Sequence, residues 1–570
     1  MSPQEGDGKL FSLEQLSTLD LIKTLSSRLE QGDTRQRILP LEDLDGLIKA
    51  AETMVQAMRR ERNARVAINH LPAEVLEEIF VTTCTVKLAE YRFKHYGCGE
   101  AMTIWNPTWI EKGRAVGLML VCHPWKEIAS GIRELWNGVE TYWEHKDRIL
   151  LERSGQGPLK VLTHGKMEPP YAVVHALQNV EHSSRIQELY LTSPLLAREN
   201  REYFGMLAPS LRSLALQGDY SRVPNETLNL FDNHIPCLER LSLSYVGWLP
   251  SNAFAELTFL AIDQCYVSKC RAKIRSVLAG TPNLVDLVLR KVADQHFGYI
   301  RVETEAADMK PVSLTRLRRL LIENMWTDDV DYVFRDARLD GDISVSIKRV
   351  RPRDDGHRIL KVVSTWSLNA LKHPKELHFQ PHVAIIAGAS SGFRFEVERS
   401  VSLRYWFSWS RNLPLSSISH LCTFEDASMP TSLERVHNFL RQMTSLETLS
   451  VNIEGLTKII DALTLFLDPT DPPLCPALTT LRITIRQDSD CNTILDSLLP
   501  QDAQLGVKHL YVGLIGPPNE FGEALQAAKD HLHGNFESVK SETLLYDKAY
   551  NITLPLVCDK EVHALWPRWL

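Results

Sequence analysis

The stretch of this sequence that comes nearest to a catalytic motif is residues 383–393, VAIIAGASSGF. Residues 388–392, GASSG, fit both a dinucleotide-binding glycine loop and a G-x-S-x-G turn that would present Ser390 as a nucleophile. Both motifs need a helix directly after the loop, because the helix N-terminus supports the phosphate or the sharp turn. The residues that follow, FRFEV (393–397), alternate as a strand does. The sequence therefore predicts a β-hairpin turn here and no enzyme activity.

The histidines and cysteines form no recognisable site. The 19 histidines include no H-E-x-x-H motif, and the closest pair, His531 and His533, would diverge on a helix. The ten cysteines include no C-x-x-C pair, which favours free thiols in a reducing compartment. We therefore expect no metal, no cofactor and no disulfide framework.

Charge and hydropathy argue against two classes of partner. A net charge of −7 over 570 residues gives no field that would draw nucleic acid or an anionic membrane. No apolar run approaches the ~20 residues of a membrane-spanning helix, and the start of the sequence lacks the pattern of a signal peptide. We therefore expect a cytoplasmic or nuclear protein.

The clearest helical spacing lies in residues 71–136. Residues 71–80, LPAEVLEEIF, place Pro72 in the first turn of a helix and the apolar residues on one face. Residues 118–135 carry a second apolar stripe at steps of three and four, interrupted at Pro124, which removes a helical hydrogen bond. These patterns predict three short helices that are too small to hold a large core alone.

These residues resemble the F-box, in the form common in fungal proteins. The residues that carry the resemblance are Leu71-Pro72, Glu74-Val75-Leu76, Ile79-Phe80, Leu120-Val121-Cys122, Trp125, Ile128-Ala129 and Leu135-Trp136. It implies a helical module that docks on a Skp-family adaptor protein, and through it on a cullin, in a ubiquitin ligase. A longer aromatic-rich segment replaces the usual short link at 85–112, which leaves the course of the middle helix open. The docking set and its local core would be Leu71, Pro72, Leu76, Ile79, Val121, Cys122, Trp125 and Trp136.

A repeat follows the helical region. The pattern L-x-x-L-x-L occurs nine times with conservative replacements, and its middle positions are Leu189, Leu214, Leu241, Leu260, Leu287, Leu320, Leu449, Leu481 and Leu510. Apart from a gap between Leu320 and Leu449, the middle positions lie 19 to 33 residues apart. Spacing of this size is typical of a leucine-rich solenoid with one strand and one helix per unit. The repeats resemble the irregular kind of leucine-rich repeat. The step between Leu241 and Leu260 is too short for a helix and predicts a loop.

The fold class expected from these patterns is α/β, with a helical N-terminal region that includes F-box helices, followed by an irregular leucine-rich-repeat solenoid. The predicted divisions are an N-terminal helical segment (1–65), an F-box-like domain with an insertion (66–150), a solenoid (151–517) with an irregular β-rich section (340–410), and a C-terminal cap and tail (518–570). In the N-terminal segment, residues 16–29 and the residues after Pro40 predict a helical hairpin or a short coiled coil. In the β-rich section the pattern predicts strands at 343–347, 359–363 and 393–397, and weak strands at Leu377 and Leu421. Trp566 and Trp569 are expected to dock as part of the cap.

The expected function is substrate recognition in a Skp–cullin–F-box ubiquitin ligase, without catalysis. In a repeat strand the leucines point into the core, so the residues between them should form an exposed binding face for an unknown target protein. Arg and Tyr tend to dominate interfaces, and the candidates on this face are Tyr190, Arg240, Arg290, Arg319, Arg482 and Tyr511. The alternative is a stand-alone interaction scaffold whose F-box-like helices only cap the solenoid.

Overall fold

The computed structural model describes most of the chain from Pro40 onward and a few residues before it. The described residues are 20, 23, 26–27, 30, 40–88, 104–140, 147–163, 177–192, 204–218, 228–294, 311–349, 357–380, 382–397, 413–423, 432–465, 473–499, 505–516, 521–544, 553–559, 562–567 and 569. The chain divides into two compact units, residues 1–76 and 77–570. Most of the predicted helix over 16–29 lies outside the described residues.

The first unit contains helix α1 (Leu41–Ala64), a 3-10 helix (Ala67–His70) and the start of α2 (Ala73–Cys84). α1 begins after Pro40 and carries Glu42 and Asp43 in its first turn, where the helix dipole favours negative charge. No residue of α1 is buried, so its apolar stripe remains exposed.

The second unit begins with short helices and a two-stranded ladder. Residues after α2 form β1 (Thr85–Lys87), which pairs antiparallel with β2 (Thr108–Ile110). Helices α3 (Lys112–Met119) and α4 (His123–Gly131) and a 3-10 helix (Arg133–Trp136) follow. The described part of segment 85–112 therefore contains a strand pair.

One large, mostly parallel sheet fills the rest of the unit. Its strands are β3 (Gly138–Glu140), β4 (Leu159–Leu162), β5 (Ile186–Thr192), β6 (Ser213–Gln217), β7 (Arg240–Ser244), β8 (Phe259–Asp263), β9 (Asp286–Arg290), β11 (Arg319–Glu323), β13 (Ser344–Lys348), β14 (Glu376–Phe379), β15 (Val383–Ala387), β16 (Gly392–Glu396), β17 (His420–Thr423), β18 (Thr448–Asn452), β19 (Thr480–Ile485), β20 (His509–Ile515) and β21 (Ser538–Leu544). Neighbouring strands follow chain order except that β13 pairs with β16, and β14 with β17, so that β14–β16 form an antiparallel insertion. Two further short strands, β10 (Ser313–Leu314) and β12 (Arg338–Leu339), pair with each other.

Helices connect many of the strands. They are α5 (Asp147–Ser154), α6 (Val180–Ser183), α7 (Cys270–Ala279), α8 (Thr327–Phe334), α9 (His357–Ser364), α10 (Asn369–Lys372), α11 (Leu433–Leu440), α12 (Ile453–Thr464), α13 (Asp490–Leu498), α14 (Gly522–Leu532) and α15 (Leu556–Asp559). The main core forms where strand leucines such as Leu241 and Leu260 pack with helix residues such as Ile274 and Leu278. We call this side of the sheet the helix face and the opposite side the outer face. Among the described residues, no helix is both long and apolar enough to cross a membrane.

A repeated backbone turn follows five strands of the sheet. The residue directly after β7, β8, β9, β11 and β13 has a positive φ of 49° to 55°; these residues are Tyr245, Gln264, Lys291, Asn324 and Arg349. Each donates its N–H to the carbonyl oxygen of the last residue of the neighbouring strand. The same left-handed conformation at one register position shows that these five units repeat in backbone geometry.

All nine L-x-x-L-x-L copies are strands, and the short step between Leu241 and Leu260 contains a loop, as predicted. The hairpin predicted at 388–392 is also confirmed, because Ala387 pairs with Gly392 across antiparallel β15 and β16. The strand predicted at 359–363 is wrong, since these residues lie in α9, where Ile359, Leu360 and Val363 are buried and Lys361 is exposed. That burial pattern has the period of a helix rather than of a strand. The described chain is thus a mixed α/β structure.

Candidate functional site

The turn between α3 and α4 presents apolar side chains to solvent. Leu120 is 81% exposed and Val121 is 52% exposed, and Val116 on α3 is also exposed. α4 begins with Pro124 in its first turn, where the missing N–H costs no hydrogen bond. Exposed apolar patches are a feature of many protein-interaction surfaces. We name Val116, Leu120 and Val121 the apolar turn.

Aromatic side chains support this turn from within the second unit. The rings of Phe80 on α2 and Trp125 on α4 lie 4.8 Å apart, measured between centroids. Trp136 is buried and donates from Nε1 to the Ala129 carbonyl oxygen over 2.9 Å. The guanidinium of Arg153 on α5 lies 4.8 Å from the Trp136 ring centroid. These contacts make Trp136 part of the local core.

The predicted adaptor-binding residues differ in exposure. Leu71, Pro72 and Val121 are exposed, Ile79, Cys122 and Trp125 are half-buried, and Leu76 and Trp136 are buried. The exposed residues can contact a partner directly, whereas the buried ones can act only by supporting the fold. Adaptor binding stays a prediction for the whole set.

The outer face of the sheet falls into two parts. On β3–β9, β11 and β13–β16 two other segments of the described chain cover it, and we call this part the covered half. On β18–β21 its side chains are half-buried or exposed at most positions, and we call this part the open half. β17 lies between the two.

The first covering segment runs through Trp105 and Trp109. Trp105 packs on Tyr190 and Phe259, with 6.0 Å and 5.8 Å between ring centroids, and the Arg240 guanidinium lies 5.5 Å from its ring. Its Nε1 donates to the Tyr190 hydroxyl over 3.2 Å, and that hydroxyl donates to Oε2 of Glu188 over 2.7 Å. Burial, and then the nearby Glu188 carboxylate, raise the pKa of Tyr190. Tyr190 is therefore a buried neutral phenol.

The second covering segment is formed by the described residues 553–559, 562–567 and 569, which we call the tail. Leu565, Trp566 and Trp569 pack in one cluster with Phe259 and other outer-face residues, which are Ala261, Val288, Leu321 and Ile385. The Trp566 Nε1 donates to the Cys558 carbonyl oxygen over 2.9 Å. The N–H of Ala564 donates to the Ile104 carbonyl oxygen over 2.6 Å, which joins the two covering segments.

Gly392 of β16 gives the tail the space it occupies. A Cβ at this position would lie 2.6 Å from Cζ3 of Trp569 and 2.8 Å from Sγ of Cys558, closer than real Cβ contacts come. The Cys558 thiol in turn lies 3.2 Å from the Ser344 hydroxyl. The tail thus packs closely against the sheet at Gly392 and Ser344.

No family model matches the chain, and no curated protein matches it either.

The expectation that the whole outer face is exposed is wrong, and four target-contact candidates are affected. Tyr190 is 0% exposed beneath Trp105. Arg240 lies against the same ring, Arg290 donates two hydrogen bonds of 2.7 Å to the Asp263 carboxylate, and Arg319 pairs with Asp286. Their partners are all supplied by this chain. Whether any of these residues contacts a target stays a prediction.

The sequence does contain a pattern which indicates that part of the outer face is covered. Strands buried on both faces are apolar at successive positions, whereas strands with one solvated face alternate. FLAI (259–262), LVL (287–289) and VAIIA (383–387) are of the first kind, and TLRIT (480–484) is of the second. The expectation that Trp566 and Trp569 form part of an end cap is wrong. Both side chains pack on the middle of the sheet.

The open half presents a cation–aromatic row. The Arg482 guanidinium lies 4.7 Å and the Lys540 ammonium 5.7 Å from the Tyr511 ring centroid, and these residues come from three adjacent strands. Arg482 also donates to Oε1 of Glu542 over 3.1 Å. Of the six target-contact candidates, Arg482 and Tyr511 therefore belong to the open half.

Strand β14, at the border of the covered half next to β17, carries ionisable groups on the outer face. Glu376 on β14 accepts a hydrogen bond of 3.1 Å from the Thr553 N–H at the start of the tail, and burial raises its pKa. Burial lowers the pKa of His378, whose side chain lies on the same face. Among the described residues, no cluster of three or more His, Cys, Asp or Glu is arranged to hold a metal ion. Of these groups, Glu376 is the one that holds the start of the tail, through its hydrogen bond with Thr553.

Ser390 takes part in the hairpin turn. Its hydroxyl donates to Oδ1 of Asp342 over 2.6 Å, and the same oxygen accepts from Nδ2 of Asn369 over 2.8 Å. These hydrogen bonds lower the pKa of Asp342. The hydroxyl therefore ties the turn to a neighbouring loop.

Proposed function

We propose that this chain is the substrate-recognition subunit of a Skp–cullin–F-box ubiquitin ligase. The observation that carries the proposal is the apolar turn, because Leu120 and Val121 are exposed at the position where the sequence resembles an F-box. The repeated strands and turns support an irregular leucine-rich-repeat solenoid as the target-binding part.

Such a subunit performs no bond chemistry. It binds the adaptor at one site and a target at another, which raises the effective concentration of a target lysine near the charged conjugating enzyme. In this proposal the apolar turn contacts the Skp-family adaptor and the open half contacts the target. Partner contacts made by apolar side chains that are already exposed require no unfolding of this chain.

A second candidate is a stand-alone interaction scaffold. The observation that favours it is the burial of Trp136 beneath Arg153, since helices that share a core with the following domain can serve as its cap. In that case the chain binds partners through its sheet but no Skp-family adaptor.

A titration of the full chain with a purified Skp-family adaptor separates these candidates. We expect binding by the unmodified chain, and a loss of at least about tenfold in the double variant Leu120→Asp with Val121→Asp, because two charges would enter an apolar interface. Leu71→Ala with Pro72→Ala in the first unit should also weaken binding.

A matched control is Val180→Asp, since Val180 is a 67% exposed valine on α6. It should bind the adaptor as the unmodified chain does. Absence of adaptor binding by the unmodified chain would contradict the ubiquitin-ligase proposal and favour the scaffold.

A further inference from the structure

Three arginines of the covered half are paired with carboxylates of the same face. Asp263 accepts two hydrogen bonds from Arg290, each 2.7 Å long, and Asp286 likewise accepts two from Arg319. Arg394 donates to Oε2 of Glu396 over 2.8 Å. Bidentate pairs of this kind are strong and leave the arginine little capacity for another anion.

The charges of the open half are not balanced in this way. The partner of Arg482 is Glu542, whose side chain is 44% exposed, and a pair so open to water contributes little. Lys540 is exposed and contacts the Tyr511 ring, and among the described residues no carboxylate lies within 4.0 Å of its ammonium group. The open half therefore carries cations that an outside carboxylate can reach.

The remaining groups of the open half suit an extended segment. Outer-face positions of β18–β20 carry the hydroxyl groups of Thr448, Ser450, Thr480 and Thr484 and the ring of Tyr511, all half-buried. Adjacent strands lie about 4.8 Å apart, so the row from β18 to β21 spans roughly 15 Å, the length of four or five extended residues. Tyr and Arg at the centre of such a row are the residue types that tend to dominate binding energy.

We propose that the open half binds an extended acidic segment of a partner protein. Carboxylates of that segment pair with Lys540 and take the place of Glu542 beside Arg482, while Tyr511 provides the apolar contact between them. This inference rests on the proposed function only in identifying the partner as the ubiquitination target. Glu542 then acts as an internal competitor for the same arginine.

The test measures fluorescence polarisation of labelled nine-residue peptides with the full chain. One peptide is Gly-Glu-Tyr-Glu-Ser-Glu-Tyr-Glu-Gly, and its matched control has glutamine in place of every glutamate. We expect the acidic peptide to bind more tightly and its affinity to fall with added salt. Arg482→Ala and Lys540→Ala should each weaken it roughly two- to fivefold, the range of single surface ion pairs.

Two further variants make the test specific. Glu542→Gln should tighten the acidic peptide, because the internal competitor is removed, whereas a purely structural role of the Arg482–Glu542 pair would not produce this sign. Arg212→Ala is the control, since Arg212 is an exposed arginine paired with exposed Glu239 outside the open half. It should leave peptide binding unchanged.

Equal binding of the two peptides, or tighter binding of a single-stranded RNA of the same length, would overturn the inference. The adaptor titration is independent of these measurements. If the adaptor binds and the acidic peptide shows no preference, the inference fails while the proposed function stands. If the peptide behaves as expected and the adaptor does not bind, the proposed function fails and the open half remains an acidic-peptide site of a scaffold.

Discussion

The two halves of the outer face have the same parallel-strand arrangement, and they differ in the side chains at their outer positions. Both are built from parallel strands in register, with leucines and isoleucines on the helix face. In the covered half the outer positions carry residues such as Phe259, Val288 and Leu321, and in the open half they carry Arg482, Tyr511 and Lys540. The same sheet therefore acts as a second core at one end and as a surface at the other.

The difference follows from the cost of leaving apolar area in water. Burying a side chain such as Phe259 or Leu321 contributes about 1.5–3 kcal/mol relative to leaving it exposed. A row of them makes a covering segment favourable even though the tail must lose conformational entropy. Polar and charged outer residues give no such gain, so the open half can remain accessible to a partner.

The largest expected effect compares one tyrosine from each half. Tyr190→Ala should lower the free energy of unfolding by about 3–5 kcal/mol, because it empties a fully buried ring site. Tyr511→Ala should lower it by less than about 1 kcal/mol, because that ring is half-exposed. Urea unfolding of both variants measures the difference. Similar losses in the two would show that the halves are not distinct.

A second comparison uses one glycine from each half. Gly392→Ala should destabilise by about 1–3 kcal/mol, because the new methyl group meets buried Trp569 and Cys558. Gly513→Ala should be nearly neutral, although its Cβ would lie near Cδ1 of Leu544, because that half-buried side chain can rotate. The midpoint of thermal unfolding, with tryptophan fluorescence as the probe of the tail, distinguishes them. A larger cost at Gly513 would contradict this view of the cover.

A third prediction concerns pH and is confined to the covered half. His563 is buried against the Phe259 ring at 5.1 Å, and among the described residues neither of its ring nitrogens has a hydrogen-bond partner. Burial, and then the nearby Arg319 guanidinium, lower the pKa of His563 to about 4 from an ordinary 6.5. Between pH 6.5 and about 4 the unfolded chain therefore binds more protons at His563 than the folded chain does. The free energy of unfolding is thus unaffected by this group above pH 6.5 and decreases as the pH falls towards 4.

The expected loss from this group is about 2 kcal/mol at pH 5 relative to pH 7.5. His563→Phe should remove that part of the pH dependence, since phenylalanine does not titrate. The measurement is the difference in unfolding free energy between the two pH values, compared between the variant and the unmodified chain. An identical pH dependence in both would show that His563 is protonated without cost in the folded chain.

The sequence predicts the strands well and their surroundings less well. Alternating leucines are sufficient to locate strands such as 448–452, because the pattern reports burial of one face directly. The helix at 357–364 was missed because its valines favour strands locally, while packing of Ile359 and Leu360 decided the outcome. The α3–α4 break at Pro124 could be predicted from the missing N–H of proline.

The cover could not be assigned from the sequence alone for a different reason. Apolar outer residues such as Val288 and Ile385 indicate that something must cover them, but they do not indicate which segment does so. The contact between His563 and Phe259 joins positions about 300 residues apart, and no local pattern encodes that distance. The six target-contact candidates were therefore divided only by the structure, with Arg482 and Tyr511 on the open half.

The late position of the tail in the chain affects how the protein is made. Ribosomes add roughly 5–20 residues per second, so Phe259 leaves the ribosome about 15–60 seconds before His563 does. The Trp105 segment is already present when the sheet forms, but the described tail residues that cover the apolar patch are synthesised only at the end of that interval. A nascent chain therefore exposes an apolar surface transiently, and a chaperone can bind this surface until residue 569 has been synthesised.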